Sequence, residues 1–125
     1  EAPAGSVQGH GRVLLVEDDP LVRETVRTGL EASGFEVDAA GSADEALRHL
    51  AAGEAIEVVF TDVVMPGALS GVDLARRIAR DFPRVRVVIA TGYSDRSVQL
   101  PGVKALAKPY DLRQAVAALN EALGR

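Results

Sequence analysis

Cysteine is absent from the 125 residues, so no disulfide, thiolate metal site or cysteine nucleophile is available. The same absence fits a cytoplasmic location, which is the expectation here. Tryptophan is also missing, and aromatics make up only 4% of the chain, too few for base-stacking platforms. The net charge of −4 likewise argues against a nucleic-acid surface. No apolar run approaches the roughly 18 residues of a membrane span. No signal peptide is legible from Glu1 onward, so no membrane contact is expected of this domain. The two histidines, His10 and His49, stand alone and read as incidental.

What is present is enough apolar residue, 47%, for one core of ordinary domain size, with 26% charged residues to solvate it. Residues 1–11 carry Pro3, Gly5, Ser6, Gly9 and Gly11 and only Val7 as a bulky apolar residue, and read as a linker or disordered tail. Residues 12–125 read as the folded domain. The chain opens on Glu1 rather than methionine, which suggests a processed product or a piece of something longer.

Val13-Leu14-Leu15-Val16 runs straight into Glu17-Asp18-Asp19-Pro20. The unbroken apolar run predicts a strand buried on both faces, about Arg12 to Glu17. Asp19 then caps a helix that has Pro20 at its first position and runs to about Ser33, with a stripe of Val22, Val26 and Leu30. Gly34 ends it. Phe35 to Ala39 alternates like an edge strand. Ser42 and Glu45 have capping-box spacing before a helix carrying Ala46, Leu47 and Leu50. Ile56 to Thr61 is a third strand closed by Asp62. Ser70 caps a helix with the stripe Val72, Ala75, Ile78, Ala79 and Phe82. Val85 to Ala90 and Val103 to Ala107 are further strands, and Asp111 with Gln114 caps a last helix striped by Leu112, Val116, Leu119 and Leu123.

Strict alternation of strand and helix predicts an α/β fold, a five-stranded parallel sheet covered on both sides. The crossover rule and the edge-like second strand give the order 2-1-3-4-5. Such sheets bind ligands at the carboxyl ends of the strands where the order reverses. Glu17 and Asp18 come from the first strand to that crevice, Asp62 from the third, Thr91 from the fourth and Lys108 from the fifth. Converging carboxylates suit a hard cation such as Mg²⁺. An aspartate beside it can act as a nucleophile toward phosphorus. A lysine and the metal would neutralise charge on the transferring group, and a threonine hydroxyl would hydrogen-bond one of its oxygens.

Val16-Glu17-Asp18-Asp19-Pro20, Thr61-Asp62 through Met65-Pro66 with Gly71, Ala90-Thr91-Gly92 and Lys108-Pro109 together resemble the receiver domain of two-component signalling. This is the phosphoacceptor module of response regulators and hybrid histidine kinases. The resemblance covers about residues 12–123 and implies a flavodoxin-like doubly wound fold. It implies that Asp62 takes phosphate from a phosphohistidine on a histidine kinase or histidine phosphotransfer protein. It further implies Glu17 and Asp18 as the acidic pair, Asp18 as a direct Mg²⁺ ligand, the Val64 backbone carbonyl as another, Thr91 and Lys108 as phosphate contacts, and a cis Lys108-Pro109 bond.

Three departures from the family pattern stand out. Pro101-Gly102 breaks the stretch between Thr91 and Lys108, so the fourth of five helices should be short or missing. Ala105 stands where the family's switch aromatic usually lies, leaving Tyr93 or Tyr110 as substitutes. The loop before Gly71 is one residue longer than usual. That loop, with Leu100-Pro101-Gly102-Val103 later, is similar to receivers at the C-terminus of hybrid histidine kinases, and together with the missing initiator methionine and the linker-like start it favours a module excised from such a kinase, with a stand-alone response regulator as the alternative; a monomer is expected. An Asp-nucleophile phosphatase would need a second acid where Val64 stands, and a dinucleotide site would need glycines where Glu17-Asp18-Asp19 stands. A degenerate, docking-only receiver would not need the full set of phosphorylation residues. The chain is therefore expected to be a signalling domain rather than an enzyme.

Overall fold

The computed structural model describes residues 8–64, 67, 69–92 and 102–125. Nine elements follow one another in these residues: β1 (Gly11–Val16), α1 (Pro20–Ala32), β2 (Phe35–Ala40), α2 (Ala43–Ala51), β3 (Val58–Asp62), α3 (Gly71–Asp81), β4 (Arg86–Thr91), β5 (Val103–Ala107) and α4 (Leu112–Leu123). All strand pairs are parallel and the order is β2-β1-β3-β4-β5, as the sequence pattern requires. The expected short or missing helix between β4 and β5 falls on residues 93–101, outside the described residues.

Alternation along the central strands divides the interior into two layers. Leu14, Val16, Val59, Val87 and Ile89 point to one face, where Leu50 of α2 and Leu74 and Ile78 of α3 cover them. Val13, Leu15, Val58, Phe60 and Val88 point to the other, under Leu30 of α1 and Val116 and Leu119 of α4. Burial on both faces is why β1, β3 and β4 read as unbroken apolar runs.

The helix stripes read from the sequence need correction. In α1 only Leu30 is buried, and Val22 is 42% exposed because it sits at the helix start, beyond the end of the sheet. In α3 Leu74 is the fully buried leucine, while Val72 is only partly covered. In α4 the buried set is Ala115, Val116, Ala118 and Leu119, and Leu112 is exposed. In each case the covered face is shifted toward residues that meet the sheet, which a four-residue spacing cannot reveal.

The caps follow their side chains. Asp19 accepts from the N–H groups of Leu21 (2.9 Å) and Val22 (3.3 Å). Ser70 with Asp73, and Asp111 with Gln114, form complete capping boxes. The box expected at Ser42 is only half formed. Ser42 accepts from the Glu45 N–H, but the Glu45 carboxylate reaches past the cap to the N–H of Gly41, 3.0 Å away.

The segment assigned to a leading linker, residues 1–11, joins the body of the fold at its end. Gly11 opens β1, and the Gly9 N–H donates to the Ser33 carbonyl at 2.9 Å. Asn120 and Arg125 donate to the carbonyls of Gln8 and His10. Glycine is required on both sides of this strap: a Cβ on Gly34, at φ +115°, would lie 2.1 Å from the Gly9 carbonyl oxygen, and one on Gly9 would strike the Phe35 ring.

Candidate functional site

The strand tips are held in register by backbone bonds that continue past the regular ladders. The Glu17 N–H donates to Ala40, that of Val63 to Ala90 and that of Lys108 to Thr91, the last at 2.7 Å. Val16 is paired with Thr61, so the next step brings Glu17 beside Asp62. One carboxylate oxygen each from Glu17, Asp18 and Asp62 lies within 4.8 Å of the others. The Lys108 ammonium stands 2.5 Å from an Asp62 oxygen, across the mouth of a cleft of about 620 Å³. Lys108-Pro109 is a cis peptide bond. Val22, Val26 and Tyr110 form the apolar wall of that cleft.

The charges are unbalanced. Three acids converge while only Lys108 forms an ion pair with any of them among the described residues. Burial first, and hydrogen bonding with Asp62 next, push the Glu17 carboxyl up to about 7. Crowded oxygen donors that hold back a proton at neutral pH fit a hard dication such as Mg²⁺, which prefers carboxylate oxygens and keeps several waters. Glu17, Asp18 and Asp62 are the side chains that would hold it.

Protonation of Glu17 has a testable consequence. Its carboxyl titrates near 4.5 in the unfolded chain and about 7 in the folded one. The folded state therefore binds the proton more tightly. Its stabilising contribution is complete below about pH 4.5 and is lost as pH rises through 7. In chelator-treated protein, the urea midpoint of the wild type should fall between pH 5 and pH 8 relative to that of Glu17→Gln. Parallel midpoints across that range would show that Glu17 does not titrate there.

Thr91 is buried at the end of β4, and its hydroxyl donates to the Gly92 carbonyl at 3.2 Å. Val64 lies two residues beyond Asp62 with an exposed side chain, and Met65 and Pro66 fall outside the described residues. Ala105 is exposed on the edge strand β5. Tyr110, one of the two proposed substitutes, packs against Phe60 with ring centroids 5.6 Å apart and a 55° tilt. Burial, reinforced by the Asp62 and Glu17 charges, pushes its hydroxyl up to about 12, so it remains a donor at neutral pH. Tyr93 lies outside the described residues.

One contributor escaped the sequence reading, and so did the role of a second. Arg23 of α1 donates through Nη1 to the Glu17 carbonyl at 2.8 Å. Gly71 opens α3 against the backbone of Asp62 itself: a Cβ there would lie 1.8 Å from the Asp62 carbonyl oxygen. Gly71 was legible as part of a motif, but the reason for it was not.

The family described as the response regulator receiver domain matches residues 13–120. The response regulator receiver protein CpdR of Brucella abortus is 32% identical over 120 residues, covering 90% of this chain and 96% of CpdR. The sensor kinase CckA of the same organism is 32% identical over 126 residues, covering 96% of this chain but 13% of CckA. The chain spans between 24% and 51% of several further curated relatives. Among solved structures, a response regulator receiver domain protein from Clostridium thermocellum superposes with a TM-score of 0.83 at 32% identity, over 92% of this chain and 95% of that one.

Proposed function

Because the chain belongs to the response regulator receiver domain family, we propose that Asp62 is its phosphoacceptor, charged from a phosphohistidine while Mg²⁺ is bound beside it. Phosphorylation and Mg²⁺ binding are general properties of the family. The observation that carries the assignment is the position of the Asp62 carboxylate, between the Lys108 ammonium at 2.5 Å and the carboxylates of Glu17 and Asp18.

In the proposed transfer a carboxylate oxygen of Asp62 attacks phosphorus as the P–N bond of the donor breaks. The bonding pair stays on the imidazole nitrogen, which takes up a proton, and the product is an acyl phosphate. Lys108 moves from the Asp62 oxygen to a phosphoryl oxygen, with Thr91 a second donor once its hydroxyl rotates. Glu17, Asp18, Asp62 and the Val64 carbonyl would hold Mg²⁺, which when bound would neutralise charge on the phosphoryl group. Val64 offers no general acid, which supports a phosphoacceptor over a phosphatase.

Receiver domains interact with histidine kinases or histidine phosphotransfer proteins, and Leu21 is where we propose the donor docks. Leu21 is 80% exposed at the start of α1, beside Val22, which is exposed as well and lines the cleft. Phosphohistidine on a cognate transfer protein should label the wild type in Mg²⁺, and Leu21→Asp should slow transfer about tenfold or more, as loss of a buried apolar anchor does. Urea unfolding of the variant should match the wild type. Unchanged transfer would remove Leu21 from the docking surface.

For the parent protein we propose a cytoplasmic-facing hybrid histidine kinase, in which this domain acts as a monomer. The support is the alignment of 96% of the chain within the sensor kinase CckA. The alternative, a stand-alone regulator, is favoured by the alignment with nearly all of CpdR. The sequence encoded upstream of Glu1 separates them: a kinase core there supports the first.

A further inference from the structure

We infer that Arg23 is a positioning residue for the Mg²⁺ site, acting through the backbone carbonyl of Glu17 rather than through its own charge. This rests on the reading of Glu17, Asp18 and Asp62 as the metal-holding acids.

The Glu17 N–H is the last donor from β1 to β2. Beyond it the strand ends, and the Glu17 carbonyl is left without a ladder partner at the point where the chain must turn to present Asp18. Arg23, six residues on and more than one turn into α1, folds back to donate Nη1 to that carbonyl at 2.8 Å. The bond fixes the plane of the peptide joining Glu17 to Asp18, and with it the direction in which both carboxylates leave the backbone.

The guanidinium lies beside the turn from β2 to α2. It is half-buried, and a Cβ built on Gly41 would meet its Nη1 at 3.4 Å and the Glu45 carboxylate at 3.6 Å. Gly41 is in turn held by its N–H bond to Glu45.

The two roles predict opposite signs. A cation near the site repels Mg²⁺, so if charge were its only effect, removing Arg23 would tighten binding. Loss of a positioning contact around a metal site weakens it, typically about tenfold or more. The experiment titrates Mg²⁺ into wild type, Arg23→Met and Arg23→Lys, following the backbone amides of Asp18 and Asp19 by NMR. Arg23→Met keeps the packed stem but not the donor. It should weaken Mg²⁺ about tenfold and shift the Asp18 amide even without metal, while Arg23→Lys, which keeps a donor, should recover much of the affinity. Tighter or unchanged Mg²⁺ binding by Arg23→Met overturns the inference. A wild type that does not bind Mg²⁺ saturably overturns the metal-site reading instead. In the wild type, separate slowly exchanging Nη signals are expected from the held guanidinium, a check that needs no variant; averaged signals count against it.

Discussion

Asp62→Asn is expected to carry no phosphoryl label from a phosphohistidine donor or a small acyl phosphate in Mg²⁺, a loss of roughly two orders of magnitude or more, because an amide cannot act as the carboxylate nucleophile. The substitution is nearly isosteric, so the loss should come without unfolding. The Asp62–Lys108 pair gives modest stability to lose: the Asp62 side chain is 13% exposed, but that of Lys108 is 45% exposed, so solvent screens the pair at its lysine end. Against that loss stands relief of repulsion, since Asp62 is among the causes that hold the Glu17 carboxyl up. Without metal, Asp62→Asn should therefore be at least as stable as the wild type, with Glu17 titrating lower. Acid-labile label persisting on the variant would falsify the assignment of Asp62 as phosphoacceptor. A variant that loses label only because it unfolds would show in its urea midpoint.

The parts of this molecule that were legible in the sequence are those written in short-range chemistry. The run Val13 to Val16 showed a strand covered on both faces, Asp19-Pro20 and Ser70 showed helix starts, and the alternation of elements left one sheet order. Glu17, Asp18, Asp62 and Lys108 could be brought together because strand ends in such a sheet converge, and they do. What was not legible depends on distances between segments remote in sequence. Leu74 rather than Val72 faces the sheet because the helix rotation is set by what it packs on. Glu45 accepts from Gly41 rather than closing the capping box at Ser42, which the spacing of Ser42 and Glu45 does not reveal. The bond from the Thr91 hydroxyl to the Gly92 carbonyl was likewise not legible in the sequence.

Gly71→Ala is the substitution expected to damage the fold most for its size. The glycine does not need a positive φ, so the constraint is space and not backbone conformation. An added methyl would sit 1.8 Å from the Asp62 carbonyl oxygen, 2.8 Å from its carbon and 3.0 Å from the Val63 Cα. These are backbone atoms and cannot rotate aside. The Gly71 N–H also donates to the Val63 carbonyl at 2.8 Å, and Ser70 caps α3 immediately before it, so neither the helix nor the loop can move without losing hydrogen bonds. Overpacking costs typically about 1–3 kcal/mol and more where backbone must shift, out of a total of about 5–15 kcal/mol. At the upper end of that range Tm should fall by roughly 10 °C or more. Gly92→Ala is the stability control, since among the described residues a Cβ there meets nothing within 4 Å and its φ is not positive; its Tm should stay close to that of the wild type. Whatever fraction of Gly71→Ala remains folded should also label poorly, because the methyl displaces the very residue that accepts the phosphate. A Tm equal to that of the wild type would mean that α3 can draw away from Asp62 freely, and the close approach would then not be what fixes the acceptor in place.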